Sequence, residues 1–202
     1  MTFTALCWAH LQTALLLLAA TLWLSGRRIR QPAAVAAALL LALAASFLPL
    51  GGMDLSGLLY AFVGQLSVTS LMLLGGLVLG RLSGCDGVPA AERTFVLGSA
   101  AVAGLILYPN ALGLGRFDLY ALGYGGLVLP SVAAALALAA WIAGHRAAAL
   151  TVVVGLWAWV LGAGESHNLW DYLIDAWLAA GAIGWLLVGS AGTLTKAMRR
   201  RT

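Results

Sequence analysis

Glu165, His167, Asp171 and Asp175 fall within one eleven-residue stretch, the richest polar segment of the chain. If that stretch is helical, His167, Asp171 and Asp175 stand four residues apart on one face. A carboxylate so placed can orient an imidazole and raise its basicity, which is the chemistry of a general acid–base pair. The same residues admit a plainer role: Asn168 caps a helix, Asp171 sits in its first turn, and the acids face the positive end of the helix dipole. Capping is the default expectation. Trp170 and Tyr172, interleaved with the acids, would form the apolar wall of a substrate site if there is one.

A second group lies at Asn110, Arg116 and Asp118. Arg116 and Asp118 have the types to hold a sugar or phosphate, or else to close a loop through a surface ion pair worth under about 1 kcal/mol. A third, neutral group comprises Gln65, Ser67, Thr69 and Ser70. Such side chains inside an apolar stretch ordinarily hydrogen-bond between helices, at about 0.6 kcal/mol each.

Other chemistries lack their parts. Lys196, the only lysine, stands near the C-terminus, which argues against a Schiff base. His10, His145 and His167 are spread over the chain, with only His10 and His167 expected on one side, so neither a haem nor a metal centre is expected. Cys7 and Cys85 are expected on opposite sides and cannot pair. Intramembrane hydrolysis by serine or aspartate would need a buried histidine or aspartate partner, and none is expected. The prediction is no cofactor and no metal.

The elements that must position these residues follow from charge. The chain has 202 residues, 62% hydrophobic and 9% charged, against about 25% charged in ordinary soluble domains. Seven stretches, about 6–25, 33–50, 57–80, 94–112, 119–143, 147–163 and 174–193, carry no Asp, Glu, Lys or Arg apart from Asp175 at the start of the last. Runs of this length span the roughly 30 Å hydrocarbon core as helices. Pro32, Pro49 and Pro109 suit helix ends, whereas Pro130 falls inside the fifth stretch and should kink it. Small-residue pairs at Ser99 and Ala103, Ala100 and Gly104, and Ala180 and Gly184 have the spacing of close helix packing.

Arg27, Arg28, Arg30, Arg81, Arg93, Arg146, Lys196, Arg199, Arg200 and Arg201 all fall in alternate connections or the tail, with Asp86 and Glu92. Arg116 alone shares the other side with Asp54, Asp118, Glu165, Asp171 and Asp175. By the positive-inside rule the N-terminus is outside and the C-terminus cytoplasmic. The five tyrosines fall on the outer side, and the first stretch, with its arginines after the apolar run, is expected to be retained and not cleaved as a signal.

The expectation is therefore an all-α, seven-helix transmembrane bundle forming a single domain over residues 1–202. Its longest cytoplasmic connection is 81–93, and an outer acidic and aromatic segment, 164–175, precedes the last helix. The expected setting is a bacterial inner membrane, and the expected partners are the lipid bilayer and a membrane protein or a lipid-linked substrate. No nucleic acid is expected, because the positive charge is segregated by topology and not gathered on one binding face. The expected role is an accessory subunit of a cell-envelope complex presenting an acidic, aromatic outer rim; the alternative is a membrane-embedded enzyme or carrier acting on a lipid-linked or glycan substrate at that rim.

Overall fold

The computed structural model describes residues 3–26, 29, 31–85, 87–115 and 117–199, with 189–199 described by backbone alone. Arg27, Arg28, Arg30, Asp86, Arg116, Arg200 and Arg201, on which part of the charge reading rests, lie outside the described residues. The fold is all-α and 75% helical. Its helices are α1 (Phe3–Ser25), α2 (Pro32–Ser46), α3 (Leu55–Val63), α4 (Val68–Ser83), α5 (Ala90–Ala111), α6 (Val128–Ile142), α7 (Arg146–Val160), α8 (Trp170–Leu173) and α9 (Ala176–Arg199), with a 3-10 turn at Tyr120–Gly123.

Each of the seven apolar stretches contains a helix, but the stretches are not seven whole helices. The third is split into α3 and α4 around residues 64–67. Gly64 adopts φ 75°, ψ −169°, a conformation that stops α3 and that few other residues accept. The fifth stretch is helical only from Val128, so Pro130 sits in the first turn of α6. A first-turn residue has no intrahelical acceptor for its N–H, and the expected kink inside a helix has no cause. Among the described residues two helices, α1 and α5, are long and apolar enough to cross a membrane by length and composition. At 1.5 Å per residue, the 15 residues of α2, α6 or α7 reach about 22 Å, because a charge-free run also counts Gly, Ser and Pro residues that end helices.

Between α2 and α3 the chain makes a two-residue antiparallel hairpin, β1 (Pro49–Leu50) with β2 (Met53–Asp54), Pro49 opposite Asp54. Gly51 and Gly52, both at positive φ, form its turn. The hairpin delivers Asp54 to the start of α3, where its carboxylate accepts the Gly57 N–H at 2.6 Å as an N-cap.

Two larger apolar cores result, beside a smaller cluster of Val68, Ala158 and Tyr172. Leu15, Leu18 and Leu22 of α1 pack with Val35 of α2 and with Leu71 and Val78 of α4. Across the molecule α5 lies against α9, where Ala100 and Ala101 meet Leu178, Ala179 and Ala182. The Ala100 and Gly104 pair marks this contact, since a β-carbon at Gly104 would press on Ala179 at 2.6 Å. The Ala180 and Gly184 pair does not mark a contact, for Ala180 is exposed and nothing lies over Gly184. Helix α6 packs on α7, and α7 on α4 and α8. The outward faces stay apolar: Leu40, Leu41, Leu79, Leu105, Leu138 and Trp157 are each more than half exposed.

Candidate functional site

The segment 164–175 is not one helix. Residues 164–169 are irregular, α8 is a single turn, and Ile174 is extended at φ −147°, ψ 141°. The expected face shared by His167, Asp171 and Asp175 therefore does not form. His167 and Glu165 are exposed, and each is anchored through its backbone: Trp159 Nε1 donates to the His167 carbonyl at 3.0 Å, and the Glu165 N–H donates to Gln65 Oε1 at 2.8 Å.

The two aspartates turn inward to different partners. Asp171 accepts the Tyr120 hydroxyl on both oxygens at 2.9 Å and also accepts the Ser166 hydroxyl. Asp175 is buried: one oxygen accepts the Ser67 N–H at 3.0 Å, the Ser67 hydroxyl at 2.7 Å and the Ser70 hydroxyl at 2.5 Å, and the other accepts the Leu178 N–H at 2.8 Å. One carboxylate thus sits at the N-termini of both α4 and α9, where two helix dipoles favour its negative charge. This corrects the expectation that every carboxylate lies at the rim, because Asp175 packs against the middle of the third charge-free stretch. The four donors offset the cost of burying the charge.

The rest of the segment is held by its own backbone and aromatic rings. Asn168, fully buried, accepts the Trp170 N–H at 2.9 Å within its own turn and donates to the Tyr120 carbonyl at 3.0 Å, whereas the residue at the cap position of α8 is Leu169, without a side-chain cap. Trp170 Nε1 donates to the Leu119 carbonyl at 2.9 Å. Tyr172 is fully buried, and its hydroxyl accepts the Gly164 N–H and donates to the Ser166 carbonyl. Burial, foremost, pushes this phenol above its ordinary pKa and keeps it a donor. Asp118 is exposed and caps the 3-10 turn through the Ala121 N–H, and Asn110 donates back to the Ile106 carbonyl within its own helix. Arg116 lies outside the described residues.

The break in the third stretch is the other half of this assembly. Gln12 of α1, fully buried, donates to the Gly64 carbonyl at 2.9 Å and accepts the Leu66 N–H at 3.0 Å, while Trp8 Nε1 reaches the Leu66 carbonyl at 3.2 Å. Trp177 Nε1 takes the Val63 carbonyl at 2.9 Å. The backbone groups freed by unwinding are thereby paired with side chains from α1 and α9. Sequence reasoning missed Gln12. Its signal was an amide amid apolar residues, a group that must find a partner when buried.

A further row was also missed. His10 of α1 is buried, with Nδ1 3.0 Å from Ser46 Oγ, Nε2 3.5 Å from Asp54 and its ring stacked on Phe47 at 3.8 Å. A serine, a histidine and an aspartate in line have the types of a hydrolytic triad, contrary to the expectation that such partners are absent. The serine is not activated, however: Ser46 is fully buried and its hydroxyl donates to the Leu43 carbonyl at 2.6 Å. The row ties the ends of α1 and α2 to the hairpin. Among the described residues no three of His, Cys, Asp and Glu stand together as a metal site.

Beside the acidic segment lies an apolar groove of about 440 Å³ between α5 on one wall and α6 and α7 on the other. Trp170, Leu173 and Ile174 close one side, alanines such as Ala103, Ala133 and Ala140 form much of the rest, and neither Asp171 nor Asp175 lines it. No family model matches this chain, and no curated protein or solved structure does.

Proposed function

We propose that this chain is a multi-pass protein of a bacterial inner membrane, with its N-terminus outside, acting as an accessory or partner subunit of a cell-envelope complex. The observation that carries this reading is the connection between α5 and α6, where Leu112, Leu114, Phe117, Tyr124 and Leu127 are each more than 60% exposed. Large apolar side chains held out together mark a contact surface. The inward turn of Asp171 and Asp175 argues the same way, since their hydrogen bonds serve the fold and leave the exposed chemistry of the rim to Glu165, His167 and Asp118. Apolar outward faces on helices around the molecule favour a lipid setting.

The test is copurification from native membranes in mild detergent, comparing the chain with a Leu114→Asp/Phe117→Asp variant. One stoichiometric partner that is lost with the variant, at unchanged expression and melting temperature, is the expected result. A chain recovered alone and monomeric, with no crosslinked neighbour in native membranes, overturns the reading.

The alanine-lined groove favours a second reading, a carrier or enzyme for a lipid-linked substrate whose chain lies between α5 and α6. In that case Ala103→Trp or Ala140→Trp, which fill the groove, abolish handling of the substrate, whereas His167→Ala does not.

A further inference from the structure

A second, smaller pocket lies at the opposite end of the molecule from the acidic segment. Its volume is about 240 Å³, and Leu73, Leu77 and Arg81 of α4 face Arg93 and Leu97 of α5 across it. On α4 the spacing Leu73, Leu77, Arg81 is four and four, and on α5 Arg93 and Leu97 are four apart, so each helix presents one stripe with an arginine at the loop end and leucine deeper. The floor is preformed. Cys85 and Gly87 lie on α4, so close that a β-carbon at Gly80 or Gly87 would collide with the backbone opposite.

Among the described residues that line the pocket, Arg81 and Arg93 are the charged ones and no carboxylate joins them. Arg81 Nη1 donates to the Gly26 carbonyl at 3.1 Å, which brings the end of α1 to this rim immediately before Arg27, Arg28 and Arg30 in the sequence. In the sequence, the connections on this side carry Arg27, Arg28, Arg30, Arg81 and Arg93 with Asp86 and Glu92. Glu92 is turned away, its carboxylate lying 3.3 Å from the Ala148 N–H and 4.0 Å from His145 on α7.

We propose that this pocket binds an anionic phospholipid, with the phosphate between Arg81 and Arg93 and an acyl chain running over Leu77, Leu73 and Leu97. Basic pockets between membrane helices on the cytoplasmic side have the chemistry to hold such headgroups. Arginine suits the task because its planar fork engages two phosphate oxygens at once. A free phosphate would use the arginines and leave the exposed Leu77 and the edges of Leu73 and Leu97, which pack on the α5 and α9 core, uncovered, which is why a lipid is the occupant named. The inference rests on the membrane reading above.

The test uses the full chain in nanodiscs of phosphatidylcholine with or without phosphatidylglycerol, read by native mass spectrometry after release into detergent. Retention of phosphatidylglycerol over phosphatidylcholine is expected. It should fall on the order of 30-fold in an Arg81→Gln/Arg93→Gln variant, from the attraction each arginine contributes, and stay within about threefold for Arg146→Gln, a cation away from the pocket. Arg81→Lys/Arg93→Lys, which keeps charge and reports on folding, should retain an intermediate amount. Equal retention of both lipids, or no loss in the glutamine variant, overturns the proposal, and so does displacement of the lipid by millimolar inorganic phosphate alone. Release of the chain from native membranes by alkaline carbonate would instead overturn the membrane reading on which it stands.

Discussion

Asparagine at position 175 would keep the volume of the side chain while offering an N–H₂ to a pocket that already holds two serine hydroxyls and the Ser67 N–H. Because a buried charged acceptor facing several donors is costly to lose, Asp175→Asn should lower stability by about 3 kcal/mol, seen as a drop in melting temperature in detergent. At Asp54 the Gly57 N–H, foremost, holds the carboxyl below its usual range; burial opposes this, and the Ser56 hydroxyl and His10 add to it. A depressed carboxyl contributes stability above its unfolded value and loses it as pH falls through the folded one. Asp54→Asn keeps a capping group but does not titrate. Relative to that variant, the native chain should lose melting temperature from about pH 4 downward, while Asp54→Ala should cost about 1 kcal/mol at neutral pH. A native-minus-asparagine difference that stays flat between pH 6 and pH 3 would contradict this.

Two interrupted elements face each other, residues 64–67 between α3 and α4 and residues 164–175 before α9, and each supplies what the other lacks. Gly164 lies so close to the Gln65 amide that a β-carbon there would collide with it. Gly164→Ala should therefore cost about 1–3 kcal/mol, whereas His167→Ala, at an exposed side chain, should change stability by less than about 0.5 kcal/mol; thermal melts of the two variants settle the contrast. The helices were legible because absence of charge locates apolar helices well. The break at Gly64 was not, since Gly, Gln and Ser carry no charge and pass the same criterion. The spacing of His167, Asp171 and Asp175 suggested a helical face, but Ile174 is extended and the register is lost between Asp171 and Asp175. The seat of Asp175 beside Ser67, 108 residues away, is a tertiary fact that no local spacing contains.

For the molecule as a whole, the topology proposed above puts Cys85 and residue 167 in different compartments. Both side chains are exposed. An impermeant maleimide applied to spheroplasts should label Cys85 only after permeabilisation, and a His167→Cys/Cys7→Ser/Cys85→Ser variant before it; both reacting from one side would refute the topology. The carboxylate shared by α4 and α9 has a consequence for biosynthesis. Ser67 leaves the ribosome 108 residues ahead of Asp175, a delay of roughly 5–20 s at ordinary elongation rates. Until α9 arrives, the unwound stretch between α3 and α4 lacks the acceptor that completes it, so those early helices reach their final form only after Asp175 has emerged.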